Sequence, residues 1–205
     1  MNTKNALIIM TKDPVLGQCK TRLAKTIGDE KALEVYIQLL DYTADFSKKV
    51  NADKFIYSTA ELKDKTRWES NQTLFNLQSN GDLGNRMNTA LEAVFHLGYH
   101  KAVVIGSDCA EIDENTIQKA YDELASNDVV VGPALDGGYY LIGMKKATPA
   151  LFQDIEWSTE NVCPSTISIA KQNQLSIALL EAKSDIDFEE DLNRKGYIQW
   201  KVKQE

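Results

Sequence analysis

The sequence predicts an α/β fold, a three-layer domain with a largely parallel central sheet. Three observations carry this. Short apolar runs alternate with longer helical patterns along the chain, the order that builds βαβ units. Most of the runs are continuous rather than alternating, as suits strands covered on both faces. The 205 residues fit one domain, residues 1–205, able to bury roughly 70% of its unfolded surface without a disulfide or metal staple.

The first run, ALIIM at 6–10, opens the sheet. Asp29 to Val50 follows as a helix, with Leu33, Ile37, Leu40 and Ala44 on one stripe. KFIYS (54–58) and TLFNLQ (73–78) read as the next strands, then Leu83 to Leu97 as a helix presenting Met87, Leu91, Val94 and Phe95. AVVIGS (102–107) leads to a helix over Glu114 to Ser126, with Ile117, Tyr121 and Leu124 together and Asp113 as its cap. DVVVG (128–132) and YYLIGM (139–144) are joined only by PALDGG. So short a link cannot make a right-handed crossover, so the sheet changes its connection there. Thr159 to Gln172 reads as a fourth helix, LSIALLEA (175–182) as the last strand, and the acids of SDIDFEED as the entrance to a short helix.

Composition excludes several classes. A formal net charge of −7 with interspersed acids and bases leaves no basic stripe for nucleic acid. The one cluster is Lys12, Lys20, Arg22 and Lys25. No run approaches the ~18 apolar residues of a membrane span, and nothing reads as a signal peptide. Cys19, Cys109 and Cys163 are odd in number and widely spaced, which argues for a reducing compartment and a cytoplasmic protein. His96 and His100 flank a helix end and suit its dipole. Nothing in the sequence sets the oligomeric state.

Ligands of open α/β sheets sit beyond the carboxyl ends of the strands, and five unusual loops fall there. KDPVLGQCKTRL is neither a Walker A loop nor a dinucleotide fingerprint. It offers Pro14 and Gly17 to bend the chain, then Lys20 and Arg22, with Lys12 nearby. A phosphate loop and a solvated basic turn both fit these residues. In VVIGSDCAEID, Asp108 ends a strand and has no structural task once Asp113 caps the helix, so it is a candidate ligand for a hard divalent cation. Asp187 in SDIDFEED is a candidate second ligand, although acids at a helix start also answer its dipole. In GPALDGGYY, Gly137 and Gly138 permit close ligand approach, Asp136 precedes them and Tyr139 could line a pocket; a plain hairpin turn fits equally. In NGDLGNRM, Gly81 and Gly84 bracket Asp82, and Arg86 opens a helix whose N-terminus attracts anions. A capping turn is the alternative.

In their order, KDPVLGQCKTRL, NGDLGNRM, IGSDCAEID, VVVGPALDGGYYLIG, WST at Trp157 to Thr159, and DIDFEEDL resemble the bacterial glycosyltransferase-A-like proteins described as radical-SAM/selenoprotein-associated transferases. These lie within the nucleotide-diphospho-sugar transferase superfamily. The resemblance spans nearly the whole chain. It implies a Rossmann-like glycosyltransferase-A fold with a mixed, mostly parallel sheet, a nucleotide or nucleotide-sugar substrate, an unidentified acceptor, and magnesium or manganese. Carried over, Lys12, Gly17, Lys20, Arg22, Gly81, Asp82 and Arg86 fall on the nucleotide and phosphate side. Asp136, Gly137, Gly138, Tyr139 and Trp157 fall on the sugar or acceptor side, and Asp108 and Asp187 on the metal. Lys20 and Asp136 are the candidate catalytic residues, Asp136 being the one candidate for a base. Ala110 stands where the family usually has Pro, and Phe188 where relatives often have Thr. The expected activity is metal-dependent glycosyl transfer from a nucleotide sugar. The alternatives are nucleotidyl transfer with pyrophosphate release, and a nucleotide-binding accessory protein without turnover.

Overall fold

The computed structural model describes residues 4–70, 72–194 and Tyr197. Its centre is a seven-stranded sheet in the order β3-β2-β1-β4-β6-β5-β7. The strands are β1 (Asn5–Thr11), β2 (Asp53–Ser58), β3 (Thr73–Leu77), β4 (Lys101–Ile105), β5 (Val129–Pro133), β6 (Tyr139–Met144) and β7 (Ile177–Leu179). β6 runs antiparallel to both its neighbours, and every other pairing is parallel. The short link between β5 and β6 is therefore a hairpin, closed by the Ala134 N–H on the Gly138 carbonyl at 2.9 Å.

Pleating sends alternate residues of each strand to opposite faces. Leu7, Ile9, Ile56, Val103, Ile105, Val130 and Leu141 share one apolar cluster with Tyr36, Leu40 and Ala44 of α2 (Asp29–Lys49) and Ile117, Tyr121 and Leu124 of α4 (Glu114–Ser126). Ala6, Ile8, Phe55, Val104, Val131 and Ile142 face the other way, onto Met87, Leu91 and Val94 of α3 (Leu83–His96) and Cys163 and Ala170 of α5 (Val162–Gln172). Both faces are thus covered, which is why the central strands read as continuous apolar runs.

Four elements differ from those expected. A short helix, α1 (Thr21–Ile27), begins inside the first basic loop, and α5 starts at Val162 rather than Thr159. The last strand shortens from eight residues to Ile177–Leu179, because Lys183 joins the sheet only through an isolated bridge to Ala134. The acidic segment forms a single 3₁₀ turn, Glu189–Asn193. As expected, Asp113 caps α4, its carboxylate accepting the Thr116 N–H at 2.8 Å. Among the described residues no helix is long and apolar enough to cross a membrane.

Candidate active site

Because β6 is reversed, its first residue lies on the same rim as the carboxyl ends of its neighbours. The five loops singled out in the sequence follow β1, β3, β4, β5 and β7 and so open on that rim. Two hydrogen bonds tie the last of them to the β4 loop. The Ile186 N–H donates to the Asp108 carbonyl at 3.1 Å, and the Ser184 N–H to Glu111 Oε2 at 3.0 Å. They bring Asp187 beside Asp108.

Lys20 stands at the centre. It immediately precedes α1, with φ 47° and ψ 46°. A side chain in this left-handed region costs of order 1–3 kcal/mol, and such residues gather at functional sites. Its side chain is only 4% exposed. Its Nζ donates to Asp108 Oδ2 at 2.8 Å and to Asp187 Oδ1 at 3.1 Å, and the Arg22 guanidinium holds the other Asp187 oxygen at 3.1 Å. Burial alone would lower the Lys20 ammonium, but the carboxylates of Asp108 and Asp187 outweigh it and hold Lys20 above the ordinary lysine range. Lys20 is therefore a permanent cation. An ammonium has three N–H donors, so one remains beyond the two acids.

Asp185 carries no signal of its own in the acidic run of the sequence. Desolvation, and the nearby charges of Asp108, Asp187 and Asp136, push its carboxyl up to about 8 despite the opposing pull of Lys20. Asp108 and Asp187 thus share two cations, Lys20 and Arg22, with the Asp185 carboxyl beside them. The donor set fits magnesium or manganese, which are held by one or two carboxylates together with substrate phosphates and water. Among the described residues, no three His, Cys, Asp or Glu side chains are grouped to hold a metal by themselves.

Two clefts meet here. The first, about 310 Å³, lies over β1, β2 and β4 and is lined by Lys12, Lys20, Arg22, Asp108 and Asp187 together with Tyr36, Gln78 and Ser107. Gln78 Nε2 donates to the carbonyls of Thr11 and Tyr57, both at 3.0 Å, and so locks the mouths of β1 and β2. In the sequence Gln78 is only the last residue of the TLFNLQ run. The second cleft, about 360 Å³, is lined by Asp136, Gly138, Tyr139, Trp157, Glu160 and Asp185, and Arg22 and Leu83 belong to both. Tyr139 and Trp157 form an edge-to-face pair with ring centroids 6.4 Å apart.

Other expected residues serve the walls. Gly17 (φ 73°) turns the first loop. Asp82 caps α3 by accepting the Asn85 N–H, and Arg86 Nε turns back to the Gly81 carbonyl at 3.0 Å. Gly81, Asp82 and Arg86 line neither cleft. Gly137 packs so tightly that an added Cβ would lie 2.2 Å from the Glu160 carbonyl oxygen, and a Cβ on Gly84 would lie 2.2 Å from the Trp157 ring. Asp136 holds the hairpin with Oδ1, which accepts the Gly138 N–H at 2.9 Å. Cys109 is a buried thiol donating to the Ser184 carbonyl, raised well above its ordinary value by burial. It is packing rather than chemistry.

Comparison with known proteins points the same way. A family described as "Uncharacterized protein conserved in bacteria (DUF2064)" matches residues 43–159. No curated protein matches the sequence significantly. Among solved structures, a protein of Desulfovibrio desulfuricans described as a candidate nucleotide-diphospho-sugar transferase superposes with a TM-score of 0.86 at 27% identity, over 98% of this chain and 96% of its own. The inositol-1-phosphate CTP transferase of T. maritima superposes with a TM-score of 0.63 at 13% identity, over 100% and 98%. A Mycobacterium tuberculosis protein in complex with manganese gives 0.58 at 13% identity, over 94% and 97%. The last two share the fold. The first supports a transferase that uses a nucleotide.

Proposed function

We propose that this chain, which belongs to the DUF2064 family of proteins conserved in bacteria, is a cytoplasmic, metal-dependent glycosyltransferase acting from a nucleotide-diphospho-sugar. The observation that carries the reading is the seam. A cleft of fixed cations and paired acids, and a second cleft lined by aromatic and acidic side chains, share Arg22 and Leu83 as a wall. A nucleotide diphosphate in the first would place its sugar against the second. The 27% identical Desulfovibrio protein supports the same class.

Each residue then has a task. Lys12, Lys20 and Arg22 meet the phosphates, Lys20 through its remaining N–H and Arg22 through the donors it does not spend on Asp187. Asp108 and Asp187 would hold magnesium or manganese, which supplies charge neutralisation at the diphosphate as it leaves. Trp157 and Tyr139 shape the sugar and acceptor side, and Asp136 keeps Oδ2 for the acceptor. In the transfer, the acceptor oxygen bonds to the anomeric carbon. The bond from that carbon to the diphosphate oxygen breaks, and its electron pair leaves with the nucleoside diphosphate. The hydroxyl proton passes to the Asp136 carboxylate.

The test is a thermal-shift screen of nucleotides and nucleotide sugars with magnesium or manganese, followed by assay of nucleoside diphosphate release. A ligand at a hundredfold excess over its Kd stabilises by about 2.7 kcal/mol, or roughly 5–11 °C in a chain of this size. The shift should require the metal and vanish in Asp108→Asn. If no nucleotide sugar binds with either metal, the reading fails. Pyrophosphate release from a nucleoside triphosphate, with a phosphorylated acceptor, would assign nucleotidyl transfer instead.

A further inference from the structure

We infer that the second cleft takes a polyhydroxyl acceptor that carries no phosphate or carboxylate, an inference that rests on the glycosyl-transfer reading above. Charge is the first ground. Asp136 and Glu160 carry the negative charge of its lining, and among the described residues its one lining cation, Arg22, is engaged with Asp187 at 3.1 Å. An anionic acceptor would have to approach these carboxylates with Arg22 already shared between Asp187 and the donor's phosphates, and like-charge juxtaposition is strongly unfavourable.

The helix ends supply the second ground. A helix N-terminus is ordinarily an anion site, because its first N–H groups have no partner within the helix. α5 opens on this cleft at Val162, but its donors are spent. The Val162 N–H goes to the Thr159 carbonyl at 3.4 Å and the Cys163 N–H to the Gly137 carbonyl at 2.9 Å. The third position is Pro164, which has no N–H. At α3, the Asp82 carboxylate caps the helix, and Trp157 lies over Gly84.

What the cleft does present suits a sugar or polyol. Ionised carboxylates accept hydrogen bonds only, and hydroxyl groups are donors. The Trp157–Tyr139 pair adds a rigid apolar wall, the usual complement to a few placed polar groups in a small-molecule pocket. The lining therefore selects against the phosphorylated acceptors that a nucleotidyltransferase of this fold would need.

The test uses the full chain with manganese and saturating UDP, GDP or CDP, and ligand-observed NMR of two probe pairs: glycerol against glycerol 3-phosphate, and glucose against glucose 6-phosphate. The neutral member of a pair should bind about tenfold or more tightly than its phosphate, the scale of like-charge exclusion. Glu160→Lys, checked for unchanged melting, should narrow that ratio by improving binding of the phosphate. Equal or tighter binding of the phosphates overturns the inference. So does binding of neither class to a protein that has bound its nucleotide, or an unchanged ratio in Glu160→Lys. If no nucleotide binds at all, the transferase reading fails first and removes the ground of the inference with it.

Discussion

Replacing Lys20 by methionine keeps the bulk of the side chain and deletes its charge. At 2.8 and 3.1 Å, two unit charges attract by about 6 and 5 kcal/mol at an effective dielectric near 20. Most of this is offset by the desolvation of an ammonium that is 4% exposed. Deleting one partner of a fully buried pair costs about 3–5 kcal/mol. Here Asp108 and Asp187 are 38% and 33% exposed, so water screens the orphaned carboxylates and the expected loss falls to about 2 kcal/mol. For a chain of this length that lowers Tm by roughly 4–8 °C. The measurement is differential scanning calorimetry at pH 7 in chelator, wild type against Lys20→Met, and then with added manganese. The variant should melt lower in chelator and recover more on metal addition, because the cation would replace the missing positive charge between the two acids. An unchanged Tm in chelator, or a larger manganese response in the wild type, refutes the argument that Lys20 neutralises this pair.

Asp185 predicts a pH dependence. Its carboxyl is raised to about 8, above its unfolded value, so between about pH 4 and 8 the folded chain binds the extra proton. This group's contribution to stability therefore falls as pH rises through that window, and levels off above it. In chelator, Asp185→Asn should flatten the decline and melt higher than wild type near pH 8; an identical pH profile would show that Asp185 does not feel Asp108 and Asp187. Gly84→Ala should push Trp157 out of the second cleft, since the new Cβ would lie 2.2 Å from the ring. Acceptor KM should rise about tenfold, as for loss of one aromatic contact of 1.4 kcal/mol, with nucleotide affinity unchanged. A proportionate loss of nucleotide binding would mean that α3 itself had moved.

The central strands were legible because burial on both faces writes an uninterrupted apolar run, and α2, α3 and α4 because each carries a stripe and ends in readable signals. α1 was not. Its seven residues are too few to set a period, and it starts from a left-handed lysine with no capping side chain rather than from Ser, Thr, Asp or Asn. Lys20, Arg22, Asp108 and Asp187 could be named individually from their places after strands. That Lys20 would spend two donors on the acids depends on the turn that precedes α1. Asp185 was lost among the acids around it, since nothing local separates a carboxylate crowded by Asp108 from one that only faces a helix dipole. Gly84 was visible as a glycine, but its reason is Trp157, brought over it by tertiary packing. Asp82 and Arg86 show the converse: local capping accounts for both.

The wall formed by Arg22 and Leu83 has a kinetic consequence under the proposed function. Two clefts with a common boundary have no corridor between them, and no shuttling group is needed to carry the sugar from one to the other. Donor and acceptor must be present together, and the sugar changes hands within that ternary assembly. Initial rates measured against both substrates then give intersecting reciprocal plots. Parallel lines would instead signal a sugar parked on the protein between two separate visits. The seam makes this transferase a place of meeting rather than a relay.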